Sequence, residues 1–226
     1  MATDILMSWS GGKDCLMALG RLLDDPDWQV VGLLTTVTTT FDRVSMHGIR
    51  RDVLAAQASA LGLPLIEVSL PWPADNASYE QAHHAALQQA RQRWPGLRHC
   101  GFGDIFLEDV RAYREAQLAR DDWQGVFPLW GENTADLARQ FHSAGHRAKL
   151  VCVDTTQLDA AFSGRDFDPG LIAALPDNAD PCGEHGEFHT LSHAGPLFRQ
   201  PLHLTRGESV LRDARFQYTD FLLADG

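Results

Sequence analysis

Short apolar runs alternate with stretches of helical periodicity along most of the chain. This alternation restricts the fold more than any other feature. "ILMSW" (5–9) reads as a strand, and Leu16, Leu19, Leu22 and Leu23 then recur at helical spacing. "QVVGLLTTV" (29–37) is a β-branched strand, and the helical "HGIRRDVLAAQASALGLP" (47–64) stops at Gly62 and Pro64. "LPLIEVSL", "LRHCGFGDIF", "GVFPLW" and "RAKLVCVDT" read as further strands. "YEQAHHAALQQARQRW", "LEDVRAYREAQLARDD" and "ENTADLARQFHSAG" read as the helices between them. Strand–helix alternation of this kind predicts an α/β protein whose mainly parallel sheet is covered by helices on both faces. Ligands of open parallel sheets sit outside the carboxyl ends of the strands. That places Ser10 to Asp14, Thr35 to Thr40 and Asp104 along one edge.

The pattern changes after about Thr155. A segment rich in Gly, Pro and Asp runs to "DPCGEHGEFHT" (180–190). Runs that read as strands and a hairpin follow, so a smaller α+β unit is expected beside the first. The length of 226 residues suits one domain or two small ones, and an apolar fraction of 44% is enough for a core. A net charge of -11 argues against binding nucleic acid through a general field. Arg43, Arg50 and Arg51 read as a solvated loop and helix end. "MATDILMSW" carries an acid where a secretory signal carries Lys or Arg, and no run approaches the length of a membrane span. The four cysteines are scattered without a C-x-x-C, so a cytoplasmic chain with reduced thiols is expected.

Between the first strand and the first helix lies "SWSGGKDC" (8–15). A strand that ends in Ser-Gly-Gly and opens a helix presents free N–H groups at a positive helix end. Gly11 and Gly12 allow close backbone approach, Ser10 offers a hydroxyl, and Lys13 adds a charge that reads as mobile. This is an anion cradle, and the anion it suits is a phosphate chain. Asp14 suits a site where magnesium arrives with the phosphates. The loop is not a Walker A motif, because Asp14 follows Gly12-Lys13 and the earlier spacing fails. It misses the G-x-S-x-G elbow because Ser8 stands at the first glycine. An ordinary tight turn remains the bland alternative.

"SGGKDC" resembles the S-G-G-x-D-S loop of the PP-loop ATP pyrophosphatases, which split ATP between its α- and β-phosphates. The likeness extends through "MHGIRRDVLAAQASALGLPL" (46–65), "GFGDIFLEDVRAYRE" (101–115), "PLW" (128–130) and "DPCGEHGEFHT". In that order these segments are similar to the diphthine–ammonia ligase family and its bacterial relatives, from about Ile5 to Phe198. The resemblance implies a Rossmann-like (HUP-type) sheet with an ATP-binding unit over 1–130 and a substrate-recognition unit over 131–226. It implies ATP and Mg2+ as cofactors, with Ser10, Gly11, Gly12, Lys13, Asp14, Cys15, Thr35, Thr36, His47 and Gly103 around the nucleotide. Cys15 departs from the family's Ser and removes a loop hydroxyl.

Lys13, Asp14, Asp104, Glu184 and Glu187 are the expected catalytic groups, and Asp14 and Asp104 the expected contacts to magnesium. His47 and Gly48 read as opening a helix. Asp104 reads as a carboxylate at the site edge or a helix cap, and Arg111 and Glu115 as an i,i+4 pair or substrate ligands. His185 and His189 suggest zinc by spacing, but residues four apart on a strand lie about 13 Å apart, too far for one metal. Glu184 and Glu187 read better as acids that orient an amine or act as base. Cys182 reads as a small buried residue, with sulfur transfer as its alternative.

The implied reaction adenylates a substrate carboxylate and transfers ammonia or an amine. The acyl group belongs to a small molecule or a modified protein side chain. A nucleotide-binding sensor without catalysis, and a sulfur-transfer or tRNA-modifying PP-loop enzyme, are the alternatives.

Overall fold

The computed structural model describes residues 2–224, so residues 1 and 225–226 of the two expected units lie outside it. Five parallel strands build the first sheet: β1 (Thr3–Ser8), β2 (Trp28–Thr38), β4 (Leu65–Leu70), β5 (His99–Gly101) and β6 (Gln124–Val126). They lie in the order β4-β2-β1-β5-β6, with the short antiparallel β3 (Arg43–Val44) set against the end of β2. The order turns back at β1, since β2 lies on one side of it and β5 on the other.

Alternation along β1 sends its side chains to two cores. Ile5 and Met7 pack with Leu16 and Leu19 of α1 (Lys13–Asp24) and Val53 and Leu54 of α2 (Arg51–Leu61). Leu6 faces the other way, toward Ala86 and Leu87 of α3 (Asn76–Arg93) and Leu118 of α4 (Glu108–Ala119). Helices therefore cover both faces, as the sequence pattern implies.

The second sheet is antiparallel, in the order β8-β7-β10-β9, from β7 (Arg147–Asp154), β8 (Phe188–Ala194), β9 (Leu204–Arg212) and β10 (Phe216–Leu223). "RAKLVCVDT" continues the strand–helix rhythm in sequence, yet as β7 it pairs only with β8 and β10. Its apolar residues Leu150 and Val153 share a core with Phe188, with Leu137 and Phe141 of α5 (Thr134–Ser143), with Leu171 of α6 (Pro169–Ala174) and with Leu16 of α1. The two sheets thus meet across one apolar interior on the α1–α2 side. Among the described residues no helix is long and apolar enough to cross a membrane.

Of Arg43, Arg50 and Arg51, expected to be solvated, only Arg51 is exposed. Arg43 and Arg50 both grip Asp220 of β10, at 2.8 and 2.6 Å, and Arg51 pairs with Glu67 of β4 at 2.5 Å. Asp154, at the end of β7, is 1% exposed. It accepts from the Thr156 amide and hydroxyl, from Gln157 and from Arg215. The Arg215 hydrogen bonds hold its carboxyl well below the usual carboxylate range. Stability from this group is present above the unfolded pKa of about 3.9 and is lost as pH falls through the folded value. Asp154→Ala removes several charged hydrogen bonds but leaves the exposed Arg215 solvated. A loss of about 2 kcal/mol in denaturant unfolding at pH 7 is expected, shrinking toward zero in acid.

Candidate active site

α1 begins at Gly12 with no side-chain cap. The first amides of a helix have no intrahelical acceptor. Here the Lys13 amide donates to Thr190 Oγ1 of β8 at 3.0 Å, while the Asp14 and Cys15 amides have no acceptor among the described residues. The Ser10–Gly12 turn is fixed from behind. Ser192 donates its amide to the Gly11 carbonyl at 2.8 Å. Buried Gln57 donates to the same carbonyl at 2.9 Å and to the Ser192 carbonyl at 2.6 Å, and accepts from the Trp9 indole at 3.0 Å. Gly11 has φ +86, and a Cβ there would meet Gln57 Oε1 at 2.8 Å.

The Lys13 charge is not mobile. The residue is 1% exposed, its ammonium donating to Asp14 Oδ1 at 2.6 Å and to the Cys182 carbonyl at 2.5 Å. Phe167 and Phe188 lie 5.5 and 5.7 Å from its ammonium. Burial is the largest influence and opposes its charge, but the charge and hydrogen bond of Asp14 together with the Cys182 and Glu184 side chains outweigh it and hold the ammonium above the usual range. Burial pushes the Asp14 carboxyl up, against the pull of Lys13. Lys13 therefore ties the glycine turn to the 180–184 loop.

β5 ends against this turn. A Cβ on Gly103 would lie 2.8 Å from Asp14 C and 2.8 Å from Cys15 N, so only glycine permits the contact. Asp104 does not cap a helix; the cap position of α4 is Leu107. Asp104 faces Arg114, with Nε–Oδ2 at 2.8 Å and Nη2 donating to Oδ1 at 3.1 Å. Arg111 and Glu115 do form the i,i+4 pair, at 2.8 Å, and the Arg111 guanidinium lies 4.7 Å from the Trp130 ring.

Glu184 closes the crevice from the second unit. Its Oε1 accepts from the Ile105 amide at 2.8 Å and from Phe106 at 3.4 Å. Burial, with the Asp14 charge adding to it, pushes its carboxyl up to about 7. Glu187 is buried and accepts from the Asp180 amide at 2.8 Å, so it braces the loop that carries Glu184. Asp180 in turn accepts from the Cys182 and Glu184 amides.

His47 precedes α2 by four residues instead of opening it, in a turn held by β3. Its ring stacks on His189 of β8, centroids 4.3 Å apart. Burial lowers the two imidazoles to about 4 and about 3, so both are neutral at pH 7. His185 lies elsewhere, edge-on to Phe106. Among the described residues no three His, Cys, Asp or Glu side chains gather as a metal site. Thr35 is buried with its hydroxyl unpartnered, and the Thr36 carbonyl accepts from Ser45 at 3.0 Å.

The structure thus gathers Ser10 to Cys15, Gly103, Asp104 and Glu184 at the point where strand order turns back at β1, where open sheets bind ligands. Gln57, Arg114, His189 and Thr190 belong to the same assembly. None of Gln57, Arg114 and Thr190 is expected as a site residue from the sequence; Thr190 lies within the "GEFHT" motif, whereas nothing local marks Gln57 or Arg114.

The diphthamide synthase N-terminal domain model matches residues 3–87, and the diphthamide synthase C-terminal domain model matches residues 133–218. Together the matches span most of the chain. The chain belongs to the diphthamide synthase family. No curated protein matches it. The matches to the diphthamide synthase models include the glycine turn, His47 and the Asp180–Thr190 loop, while Gly103, Asp104 and Arg114 fall between them.

In this diphthamide synthase family member the thiols are quiet. Cys15 donates to the Gly12 carbonyl at 3.1 Å, and Cys182 to the Thr134 carbonyl at 3.3 Å. Burial pushes them up to about 11 and about 12. All four cysteines are free and buried. A thiol reagent at pH 8 is expected to label none of them in the native protein and all four after denaturation. Rapid native labelling of Cys182 would instead support sulfur transfer.

Proposed function

We propose that this member of the diphthamide synthase family is an AMP-forming ligase that uses ATP to adenylate a carboxylate and then forms an amide with ammonia. The observation that carries this reading is the pair of unpartnered amides, Asp14 and Cys15, at an uncapped helix start where the strand order turns back. Such a helix end favours phosphate by hydrogen bonding and by its dipole. A substrate carboxylate oxygen attacks the α-phosphorus, and the bond to the bridging oxygen of the β-phosphate breaks. Pyrophosphate leaves toward the turn, whose amides and Ser10 meet its charge. Ammonia then attacks the acyl carbon, AMP departs, and the proton released from nitrogen goes to Glu184. A carboxyl near 7 can give and take that proton at neutral pH. Lys13 acts from behind, fixing Asp14 and the Glu184 loop at once.

The chain's residues fit a magnesium ion carried by the triphosphate. Asp14 stands at the turn, part-exposed and with only its Oδ1 taken by Lys13, and magnesium takes one or two carboxylates beside phosphate oxygens. Asp104 fits less well, because Arg114 holds it. When bound, the ion would neutralise charge on the departing pyrophosphate.

The test is product analysis with ATP, Mg2+ and ammonium across a panel of carboxylic acids and one diphthine-bearing protein. Equal yields of AMP, pyrophosphate and amide with one acid, abolished in Asp14→Asn, are expected. ADP as product would sink the proposal. ATP binding without turnover would point to a sensor.

A further inference from the structure

Two imidazoles stand at the crevice without a task in the proposed reaction. His47 and His189 are both partly exposed, and their rings lie 4.3 Å apart at a tilt of 36°. Each is joined to the glycine turn. Thr190, beside His189, accepts from the Lys13 amide. A Cβ on Gly11 would lie 3.0 Å from Ile49 Cδ1, two residues on from His47. The Lys13 charge acts on His189 and on Glu184 alike, so the pair and the proposed base flank one ammonium group.

The turn that carries His47 is held from several sides. Ser45 donates its amide to the Thr36 carbonyl near the end of β2 at 3.0 Å, and Gly48 donates to the Val44 carbonyl at 3.1 Å. The Tyr218 hydroxyl donates to the Met46 carbonyl at 3.1 Å. Met46 has φ +65, a left-handed backbone that a residue with a side chain keeps only under such support. Within this turn His47 Nδ1 lies 3.3 Å from the Ser45 carbonyl. A carbonyl only accepts, so Nδ1 carries the hydrogen and Nε2 the lone pair. His47 Nε2 and both ring nitrogens of His189 have no hydrogen-bond partner among the described residues, and none of the three is buried. The charges that act on the rings are cationic, Arg114 on His47 and Lys13 on His189.

We infer that His47 and His189 hold the ammonia that attacks the acyl group, each ring accepting one of its N–H bonds. This rests on the ligase reading. Two acceptors bonded to one nitrogen at about 3.0 Å each stand about 4.8 Å apart, close to the spacing of the stacked rings. With two N–H groups engaged, the nitrogen lone pair stays free. It forms the C–N bond, AMP leaves with the electrons of its bond to the acyl carbon, and the released proton goes to Glu184. Both rings are unprotonated at pH 7, so each keeps an acceptor. An ammonium ion would meet only cationic neighbours here, which favours the uncharged form. The site thus takes the form of the nucleophile that can react.

The test is magnetic resonance of the full chain with its histidine ring nitrogens labelled. His47→Phe and His189→Phe identify the two signals by their loss, or His47→Gln and His189→Gln if a Phe variant does not fold. Ammonium chloride is titrated at pH 7.5 and pH 8.5 against potassium chloride at equal ionic strength. Both signals should shift with ammonium and not with potassium, and the midpoint expressed as free ammonia should be the same at the two pH values. A hydrogen bond is worth about three- to tenfold in affinity. Each Phe variant should therefore raise the midpoint at the surviving ring at least threefold, and His47→Gln, which keeps an acceptor, should raise it less. No shift beyond the potassium control, a midpoint set by total ammonium, or affinity unchanged in both Phe variants overturns the inference. Shifts on adding AMP with none on adding ammonia would give the pair to the nucleotide. If ammonia binds here but no acid releases pyrophosphate, the ligase reading fails and the ammonia site stands. If amide forms with the same ammonia dependence in parent and variants, the ligase reading stands and this site falls.

Discussion

Gly103→Ala is expected to yield a folded protein that has lost its grip on ATP. The added methyl carbon would lie 2.8 Å from backbone atoms of Asp14 and Cys15, and backbone cannot rotate aside as a side-chain tip can. The helix start cannot easily retreat, because Thr190, Ser192 and Gln57 hold the turn from behind. The end of β5 must therefore swing outward, at a cost of about 1–3 kcal/mol for overpacking. The Asp14 and Cys15 amides then lose their alignment. A misplacement of about 1 Å at a reacting centre costs about a hundredfold in rate, and a drop of that order is expected in pyrophosphate release. Calorimetric titration with ATP beside a thermal melt separates the two effects. Full ATP affinity in a destabilised variant would place the nucleotide away from this turn.

Glu184→Gln probes the chemistry instead of the cradle. Glutamine keeps an acceptor for the Ile105 and Phe106 amides but cannot take a proton. Loss of a positioned base costs about 10²–10⁴ in rate. Amide formation should fall by at least a hundredfold, while exchange of labelled pyrophosphate into ATP, which reports adenylation alone, persists. In the parent, amide formation measured at constant free ammonia should climb through about pH 7 as Glu184 loses its proton; the variant should lack that rise. The same group leaves a mark on stability. Its folded pKa is raised, so the native state binds the proton more tightly than the unfolded chain does. Stability from this site should fall as pH climbs from the unfolded value of about 4.3 to about 7. Denaturant midpoints at pH 5 and pH 8 should lie closer together in the variant than in the parent. An amide-forming rate unchanged in Glu184→Gln would move the base elsewhere.

What could be read beforehand follows the range of the interactions. The β1–α1 turn is legible because its chemistry is local: two glycines, a serine and an apolar strand before a helix specify an open helix start. Parallel pairing of β1, β2, β4 and β5 follows from their spacing by helices. β7 misleads because its pattern continues that spacing, while its partners are settled by β8 and β10, which come later and are themselves antiparallel. Lys13 reads as a surface charge on any local rule. It is buried because Phe167, Phe188 and the Cys182 carbonyl, over 150 residues away, enclose it. Arg43 and Arg50 read as solvated for the same reason, since Asp220 lies about 170 positions on. Glu187 reads as an active-site acid from its motif, whereas its burial under the Asp180 amide is a property of the folded loop alone.

The hydrogen bonds that join Thr190 and Ser192 to the glycine turn and the helix start after it span almost the whole chain. A protein made from its amino end therefore exposes Ser10 to Asp14 early and completes them late. The first sheet can assemble while the turn has only Gln57 behind it. Closure of so distant a contact is slow compared with local structure, and the arrival of β8 adds Thr190 and Ser192 to the support that Gln57 already gives the turn. A chain cut before Phe188 keeps every residue of the motif and lacks the partners that give it shape. The motif is spelled by one end of the molecule and finished by the other.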